Sequence, residues 1–238
     1  MLLISTALLA EATPIIQFFH LKPKHTKGFR VWENNEIRLV ISGSGKIFSS
    51  AATSFLIALT ENCQGYVNIG IASHKTLPIG TPILADTITD DSTKKSCYPS
   101  LVFESPCPTG SVLTVDTFQK ELSSSCQDME AYAFFLTATK FLPIQLVHVL
   151  KVVSDNAASP HHLVTEKKIS EWIAAICPTL QTLLYKISEV SKNLPEINEM
   201  ENSEDSDECP CTVSKKQKLS DILERIDAFK TPKEKIVH

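Results

Sequence analysis

Short apolar runs alternate with longer amphipathic stretches along most of the chain. The short runs are rich in Val, Ile and Leu without polar alternation, which is typical of strands covered on both faces. They span residues 2–7, 37–42, 65–71, 81–87, 110–114 and 145–153. Helical spacing follows at residues 12–20, 46–60, 128–141 and 165–190. This alternation predicts an α/β fold with three α/β/α layers around a central mixed, mostly parallel twisted sheet.

The composition changes after Lys192, so the chain divides into a compact domain over residues 1–192 and a tail over residues 193–238. Seven acidic residues and no basic residue lie between Glu196 and Glu208. This pattern predicts a disordered acidic linker. Ser220 can then cap a short amphipathic helix whose apolar stripe is Ile222, Leu223, Ile226 and Phe229. That helix either folds back on its own domain, binds a protein partner, or frays.

Composition and charge exclude several classes of protein. The 43% hydrophobic content excludes disorder throughout. A net charge of -4 and a pI near 6.0 argue against a nucleic-acid binder. No run of about 18 apolar residues is present, so no membrane span is expected.

The first residues and the cysteines bear on location. The start, MLLISTALLAEA, has no Lys or Arg and is interrupted by Glu11, so a buried strand is expected there rather than a signal peptide. Seven scattered cysteines are typical of reduced thiols rather than a disulfide framework or a metal site. We therefore expect a cytoplasmic protein without a metal.

Polar residues follow the predicted strands where each strand ends. They are Glu11, the turn Ser42-Gly43-Ser44-Gly45, Gly70, Asp128-Met129-Glu130 at a helix start, and Ser154-Asp155-Asn156. Each alone is compatible with an ordinary helix cap or turn. Because ligands of open α/β sheets bind at the carboxyl ends of the strands, their joint placement predicts a ligand site.

The same residues carry a family resemblance over roughly residues 1–190. The matching segments are ALLAEATPII, SGSGKIFSSAATSFLI, VNIGIAS, LPIGTPILADTITDD, SVLTVDTFQ and QDMEAYAFFLTATKFLPIQLVHVLKVVSDNA. In this order they resemble the nucleoside phosphorylase/nucleosidase superfamily, most closely the 5′-methylthioadenosine/S-adenosylhomocysteine nucleosidases. The resemblance implies a phosphorylase/hydrolase-like fold, a homodimer and no cofactor.

The resemblance also implies a role for each matching residue. Asp155 would protonate N7 of the purine, Ser154 would help hold Asp155, and Glu11 would orient or deprotonate the attacking water. Glu130 would bond the ribose 2′ and 3′ hydroxyls. The other implied substrate contacts are Met129 on the sugar, Phe118 stacked on the base, Gln119 at the purine edge, Ser42 and Gly43 on the nucleophile side, and Ala72.

The distribution of cations along the chain favours water over phosphate as the nucleophile. A phosphorylase holds phosphate with cations, usually Arg. The chain has Arg30, Arg38 and Arg225, none of them after the Gly43 turn or near Gly70, although Lys46 starts the following helix. We therefore expect water as the nucleophile. Together with the resemblance, this implies hydrolysis of the N-glycosidic bond of an adenine-type nucleoside, such as 5′-methylthioadenosine, S-adenosylhomocysteine or a 5′-deoxyadenosine-like compound. The alternatives are a phosphate-dependent purine nucleoside phosphorylase and a weakened family member that acts as a binding protein.

Three local differences from the family pattern affect this expectation. Ile71 and Ser73 stand where Ser and Gly are usual, and Asp128 replaces a Glu before the Met. The segment between Phe118 and Met129 is also about ten residues shorter than ordinary loops there. A divergent specificity or a reduced activity is compatible with these changes.

Overall fold

The computed structural model describes residues 1–117 and 121–194 of the 238-residue chain. The strands are β1 (Leu2–Thr6), β2 (Lys22–Lys24), β3 (Arg30–Glu33), β4 (Ile37–Ile41), β5 (Gly65–Ser73), β6 (Pro82–Asp90), β7 (Ser96–Cys97), β8 (Thr109–Thr114), β9 (Cys126–Asp128) and β10 (Val147–Asp155). The helices are α1 (Leu9–Phe18), α2 (Lys46–Ala58), α3 (Ala131–Ala138) and α4 (Glu166–Asn193). Two single 3-10 turns, Ile144–Leu146 and His161–Leu163, flank β10.

All these strands belong to one mixed sheet. In its open part, β1 lies between β4 and β5 and is parallel to both, while β3 and β2 extend the β4 edge in antiparallel fashion. In the other part, β10 pairs in parallel with β5 and antiparallel with β6. Strands β6, β8 and β9 are parallel neighbours, and β9 returns to β5. Strands β5, β9, β8, β6 and β10 therefore form a closed ring.

This ring corrects one part of the expected architecture. The mixed sheet with its helices confirms the α/β class, and the long central strands pair in parallel as expected. The three-layer arrangement around an open sheet is not confirmed, because only the β2–β3–β4–β1–β5 part of the sheet is open. The rest curls into a small barrel, because the three-residue strand β9 pairs on one side with β8 and on the other with β5.

The helices cover the sheet in two pairs. Helix α1 packs against α4, and α2 packs against α3. Successive residues of β1 point to opposite faces, as a strand requires: Leu3 belongs to the core beneath α2 and α3, and Ile4 to the core beneath α1 and α4. The continuous apolar runs in the sequence arise because both faces of these strands are buried.

The start of α3 differs from the expected helix over residues 128–141. Asp128 ends β9 instead, and the helix begins at Ala131. The Asp128 carboxylate accepts hydrogen bonds from the backbone N–H groups of Glu130 and Ala131 at 3.2 and 2.7 Å. This side-chain bonding ends the strand and leads the backbone into the helix, as short acidic side chains commonly do.

Helix α4 closes one side of the molecule. Its hydroxyl cap is Thr165, whose side chain accepts a hydrogen bond from the Lys168 backbone at 3.4 Å. No helix within residues 1–117 and 121–194 is long and apolar enough to cross a membrane. Of the predicted tail over residues 193–238, only Asn193, at the end of α4, and Leu194 are among the described residues. The disordered linker and the tail helix therefore stay predictions.

Candidate active site

A cavity of about 250 Å³ opens where six strands end. Its walls come from the segments directly after β1, β4 and β8 and from the last residues of β5, β9 and β10. The lining residues are Ala7, Leu8, Glu11, Ser44, Ile71, Ala72, Ser73, Val115, Gln127, Asp128, Met129, Glu130, Ser154, Asp155 and His161. Most of the residues that the sequence analysis placed at strand ends therefore line one shared cavity.

Two wider depressions of about 420 and 570 Å³ lie elsewhere. The larger is lined by Met1, Leu2, Ile37 and Gln64, at the opposite ends of β1, β4 and β5. Neither of the acidic residues that line these depressions is buried: Glu36 is exposed and Glu189 is half-buried. Only the 250 Å³ cavity among these three brings buried carboxylates together.

The Glu11 carboxylate is held in place by three backbone N–H groups. One carboxylate oxygen accepts from the N–H groups of Ala7 and Leu8, both at 2.9 Å, and the other accepts from Ile71 at 2.9 Å. A Cβ atom on residue 70 would lie only 2.8 Å from Glu11 Oε1. Because Gly70 has no side chain, the carboxylate can approach β5. The bonds join the end of β1 to β5 through one side chain.

Burial and hydrogen bonding act on Glu11 in opposite directions. Loss of solvation raises the pKa of Glu11, while the three backbone N–H groups and the Lys151 charge act to lower it. A carboxylate offers about four lone-pair positions, and three are occupied by these donors. One position is left to accept a hydrogen bond from a molecule in the cavity.

A buried lysine, absent from the sequence-predicted site, lies beneath the cavity. Lys151 of β10 is 1% exposed, and its ammonium contacts Asp128 Oδ2 at 2.8 Å and donates to Asn68 Oδ1 at 2.8 Å. Nearby Asp128, Glu130 and Glu11 raise the pKa of Lys151 against the opposing effect of burial. The signal for Lys151 was present in the sequence, since a lysine in an otherwise apolar strand is rarely buried without an acidic partner.

Glu130 enters the cavity from the residue before α3. Its Oε1 accepts a 2.7 Å hydrogen bond from the backbone N–H of Gly45, in the turn that begins α2. Burial and the neighbouring Asp128 charge raise the pKa of Glu130 to about 7. A carboxyl group in this range is available both as an acceptor and, when protonated, as a donor near neutral pH.

Asp155 completes the group of three acids. It lies at the end of β10, where the pairing with β5 slips between Val153 and Asp155, and such a slip redirects a side chain. Its Oδ1 accepts a 2.6 Å hydrogen bond from Ser154 Oγ and lies 3.5 Å from His161 Nδ1. Asp155 is 1% exposed, and the ring of His161 forms part of the cavity wall above it.

The other predicted site residues divide into three groups. Met129 and Ala72 line the cavity with Ser154. Ser42 and Gly43 lie outside this lining: the Ser42 hydroxyl is directed at the backbone oxygens of Thr6 and Gly43, and Ser44 faces the cavity instead. Phe118 and Gln119 lie outside the described residues, so their roles stay predictions.

Comparison with known proteins adds a fold relationship to this geometry. No protein-family model matches the chain, and no curated protein matches it in sequence. Many solved structures match in fold. The 5′-methylthioadenosine/S-adenosylhomocysteine nucleosidase of Helicobacter pylori, with butyl-thio-DADMe-Immucillin-A, gives a TM-score of 0.65 at 19% identity over 78% of this chain and 97% of that chain.

Two further structures show the same relationship. A mutant futalosine hydrolase of Helicobacter pylori gives a TM-score of 0.65 at 19% identity, over 78% of this chain and 98% of that chain. The nucleosidase of Colwellia psychrerythraea, in complex with adenine, gives 0.63 at 17% identity, over 78% and 94%. The chain therefore has the fold of the nucleosidases, which confirms at the level of fold the resemblance found in the sequence.

Glu130 provides a test of the site's electrostatics. An unfolded glutamate releases its proton near pH 4.3, so between about pH 4.5 and 7 the folded protein holds one proton more than the unfolded chain. This contribution to the free energy of unfolding is complete below that window and is lost as pH rises through it. We expect Glu130→Gln, which keeps an acceptor for Gly45, to gain stability relative to the wild type by up to about 3 kcal/mol between pH 4.5 and 8.

Denaturant unfolding at a series of pH values measures this difference. Glu36→Gln is the matched control, because Glu36 is exposed and outside the cavity. Wild-type and Glu130→Gln curves that run parallel across the window contradict the electrostatic assignment.

Proposed function

We propose that the protein hydrolyses the N-glycosidic bond of an adenine-type nucleoside and releases the free base. The observation that carries the proposal is the convergence of Glu11, Glu130 and Asp155 on one cavity, although more than a hundred residues separate the first from the other two. The nucleosidase fold supports it. This bond breaks through a cationic sugar and an anionic leaving group, and enclosed acids serve both ends of such a reaction.

Asp155 is assigned to the leaving group. In its protonated form it would donate to N7 of the purine, so that the base departs neutral. The Ser154 hydroxyl, 2.6 Å from Oδ1, holds the carboxyl in one orientation. Proton donation of this kind contributes about two to four orders of magnitude in rate.

Glu130 and Met129 are assigned to the sugar. Glu130 would bond the 2′ and 3′ hydroxyls while its other contact, the Gly45 N–H, fixes the carboxyl in place. Met129 would pack on the ribose, and Ala72 would lie against the substrate from β5. Holding the sugar in this way also places its developing positive charge beside carboxylates.

Glu11 is assigned to the water. Its single remaining lone-pair position would accept a hydrogen bond from the nucleophile and orient or deprotonate it. We further propose that Phe118 stacks on the base, that Gln119 meets the purine edge, and that Ser42 and Gly43 support the nucleophile side through the turn that carries Ser44.

The cavity supports a small, uncharged 5′ substituent, such as methylthio or hydrogen. Its volume of about 250 Å³ is modest for a ligand site. Part of its wall is apolar, from Leu8, Ile71 and Val115. A bulky, charged 5′ group would have to leave this enclosure.

Water as the nucleophile is supported by how two cations, Lys46 at the start of α2 and Arg38 near the start of β4, are occupied. Lys46 is bound by the carboxylates of Asp90 and Asp116, the latter at 2.8 Å. Arg38, at 2.7 Å from Glu33, also donates to the backbone of Leu59. A phosphate would have to displace these carboxylates to gain a cation.

The first test is a panel of nucleosides assayed for free base with the wild type and Asp155→Asn. We expect base release from adenine nucleosides and a loss of turnover of at least about a hundredfold in Asp155→Asn, with substrate still bound. Asp91→Asn is the control, because Asp91 does not line the cavity and pairs with the exposed Lys94. Near-normal turnover in Asp155→Asn removes Asp155 from the acid role, and binding without release by the wild type supports a binding protein.

The second test separates hydrolysis from phosphorolysis. Because Lys46 and Arg38 are already paired with carboxylates, we expect the rate of base release to be the same with and without added phosphate. Product analysis should give a free sugar rather than a sugar phosphate. Strong acceleration by phosphate, with a sugar phosphate as product, favours the phosphorylase alternative.

A homodimer is supported by apolar side chains beside the cavity. Leu9, Ile47 and Phe48 are exposed next to residues that line it or its supporting turn. Because burying such a patch is favourable, we expect light scattering to give the mass of two chains for the wild type and of one chain for Ile47→Asp/Phe48→Asp. Tyr185→Asp, at an exposed position on α4, is the control, and a monomeric wild type contradicts this assignment.

A further inference from the structure

Asp155 is enclosed but has one contact that reaches solvent. The residue is 1% exposed, whereas the side chain of His161 is 48% exposed. His161 Nδ1 lies 3.5 Å from Asp155 Oδ1, a length that is common for catalytic hydrogen bonds in sites without substrate. The imidazole therefore stands between the buried carboxyl and bulk water.

The position of His161 is set by an organised turn. After β10, the Asn156 side chain accepts from the N–H groups of Ala158 and Ser159 and donates to the backbone oxygen of Leu77. On the far side of His161, Lys168 donates to the backbone oxygen of Leu163. Both ends of the turn are thus hydrogen-bonded.

We propose that His161 is a positioning residue that acts through Asp155 and returns a proton to it after each turnover. This inference rests on the proposed function, in which Asp155 gives its proton to the departing base. The resulting carboxylate cannot act again until it is protonated. With 1% exposure it has little direct access to water, and His161 supplies the route.

The proton that Asp155 loses is replaced from solvent through His161. The imidazolium of His161 gives its Nδ1 proton to Asp155 Oδ1 and becomes a neutral imidazole that carries hydrogen on Nε2. Solvent then protonates the exposed ring. The water consumed in the reaction gives its hydroxyl to the sugar and its proton to Glu11 and then to solvent, so no net proton is gained or lost.

Several charged groups face the same space and affect this transfer. Asp155 meets His161 from β10, Glu11 from α1 and Glu130 from the start of α3 line the same cavity, and Lys151 with Asp128 lies beneath it. An imidazole ring has two nitrogens, one of which can take up a proton while the other gives one up, which suits a repeated proton transfer there.

The experiment compares His161→Ala with His162→Ala, the neighbouring exposed histidine in the same turn. If protonation of Asp155 is slowed, we expect His161→Ala to release one equivalent of base per site at the wild-type rate and then to turn over at least about tenfold more slowly. KM should fall in parallel with kcat, so that kcat/KM changes little, and added imidazole should restore the steady rate. His162→Ala should match the wild type, and His161→Gln serves as a second variant if His161→Ala does not fold.

The outcomes separate this inference from the proposed function. Wild-type turnover in His161→Ala, or an equal loss in His162→Ala, overturns the role of His161 alone. A first turnover slowed as much as the steady rate, with no effect of imidazole, shows that His161 only supports the structure. Absence of base release by the wild type overturns the proposed function and this inference together.

Discussion

The site depends on one buried ion pair. Lys151 and Asp128 are 2.8 Å apart and almost fully enclosed. The Lys151 ammonium places a positive charge beneath a cavity lined by acids. Burying several carboxylates together is costly, because each loses its hydration and repels the others. The ammonium offsets part of this cost, and its second contact with Asn68 ties β10 to β5 while Asp128 ties it to β9. Strand pairing and the electrostatics of the site are therefore maintained by the same side chain.

Much of the fold follows from the sequence because its central strands are buried on both faces. The runs around Leu3, Leu39 and Val149 are mostly apolar and are buried on both faces, so their strands were predictable without any contact information. The strands that the sequence did not predict are short or polar: β2 reads KPK, β3 reads RVWE, β7 reads SC and β9 reads CQD. The ring depends on β9, whose three residues carry no periodicity, and so the barrel could not be predicted.

The candidate site was predictable in part for a related reason. Glu11 and Asp155 lie just after apolar runs, and Glu130 lies at the start of a predicted helix. Because the sheet brings strand ends together, part of their proximity follows from the topology. The support beneath them does not follow in this way. Lys151 pairs with a residue 23 positions earlier in the chain, and the choice of Ser44 over Ser42 depends on the path of one turn. Contacts of this kind are set by three-dimensional packing and leave no local spacing in the sequence.

The closed ring has a consequence for how this scaffold can diversify. Strands β5 and β10, which carry Ala72 and Asp155, are fixed to each other over eight residue pairs and again around the circuit through β6, β8 and β9. Widening the gap between them would break hydrogen bonds on both sides of the circle at once. New ligand preferences are therefore more accessible through the rim segments, such as the turn that bears His161, than through the strands. The paired barrel strands thus constrain the width of the cavity, while the segments at its rim are freer to change in length and sequence.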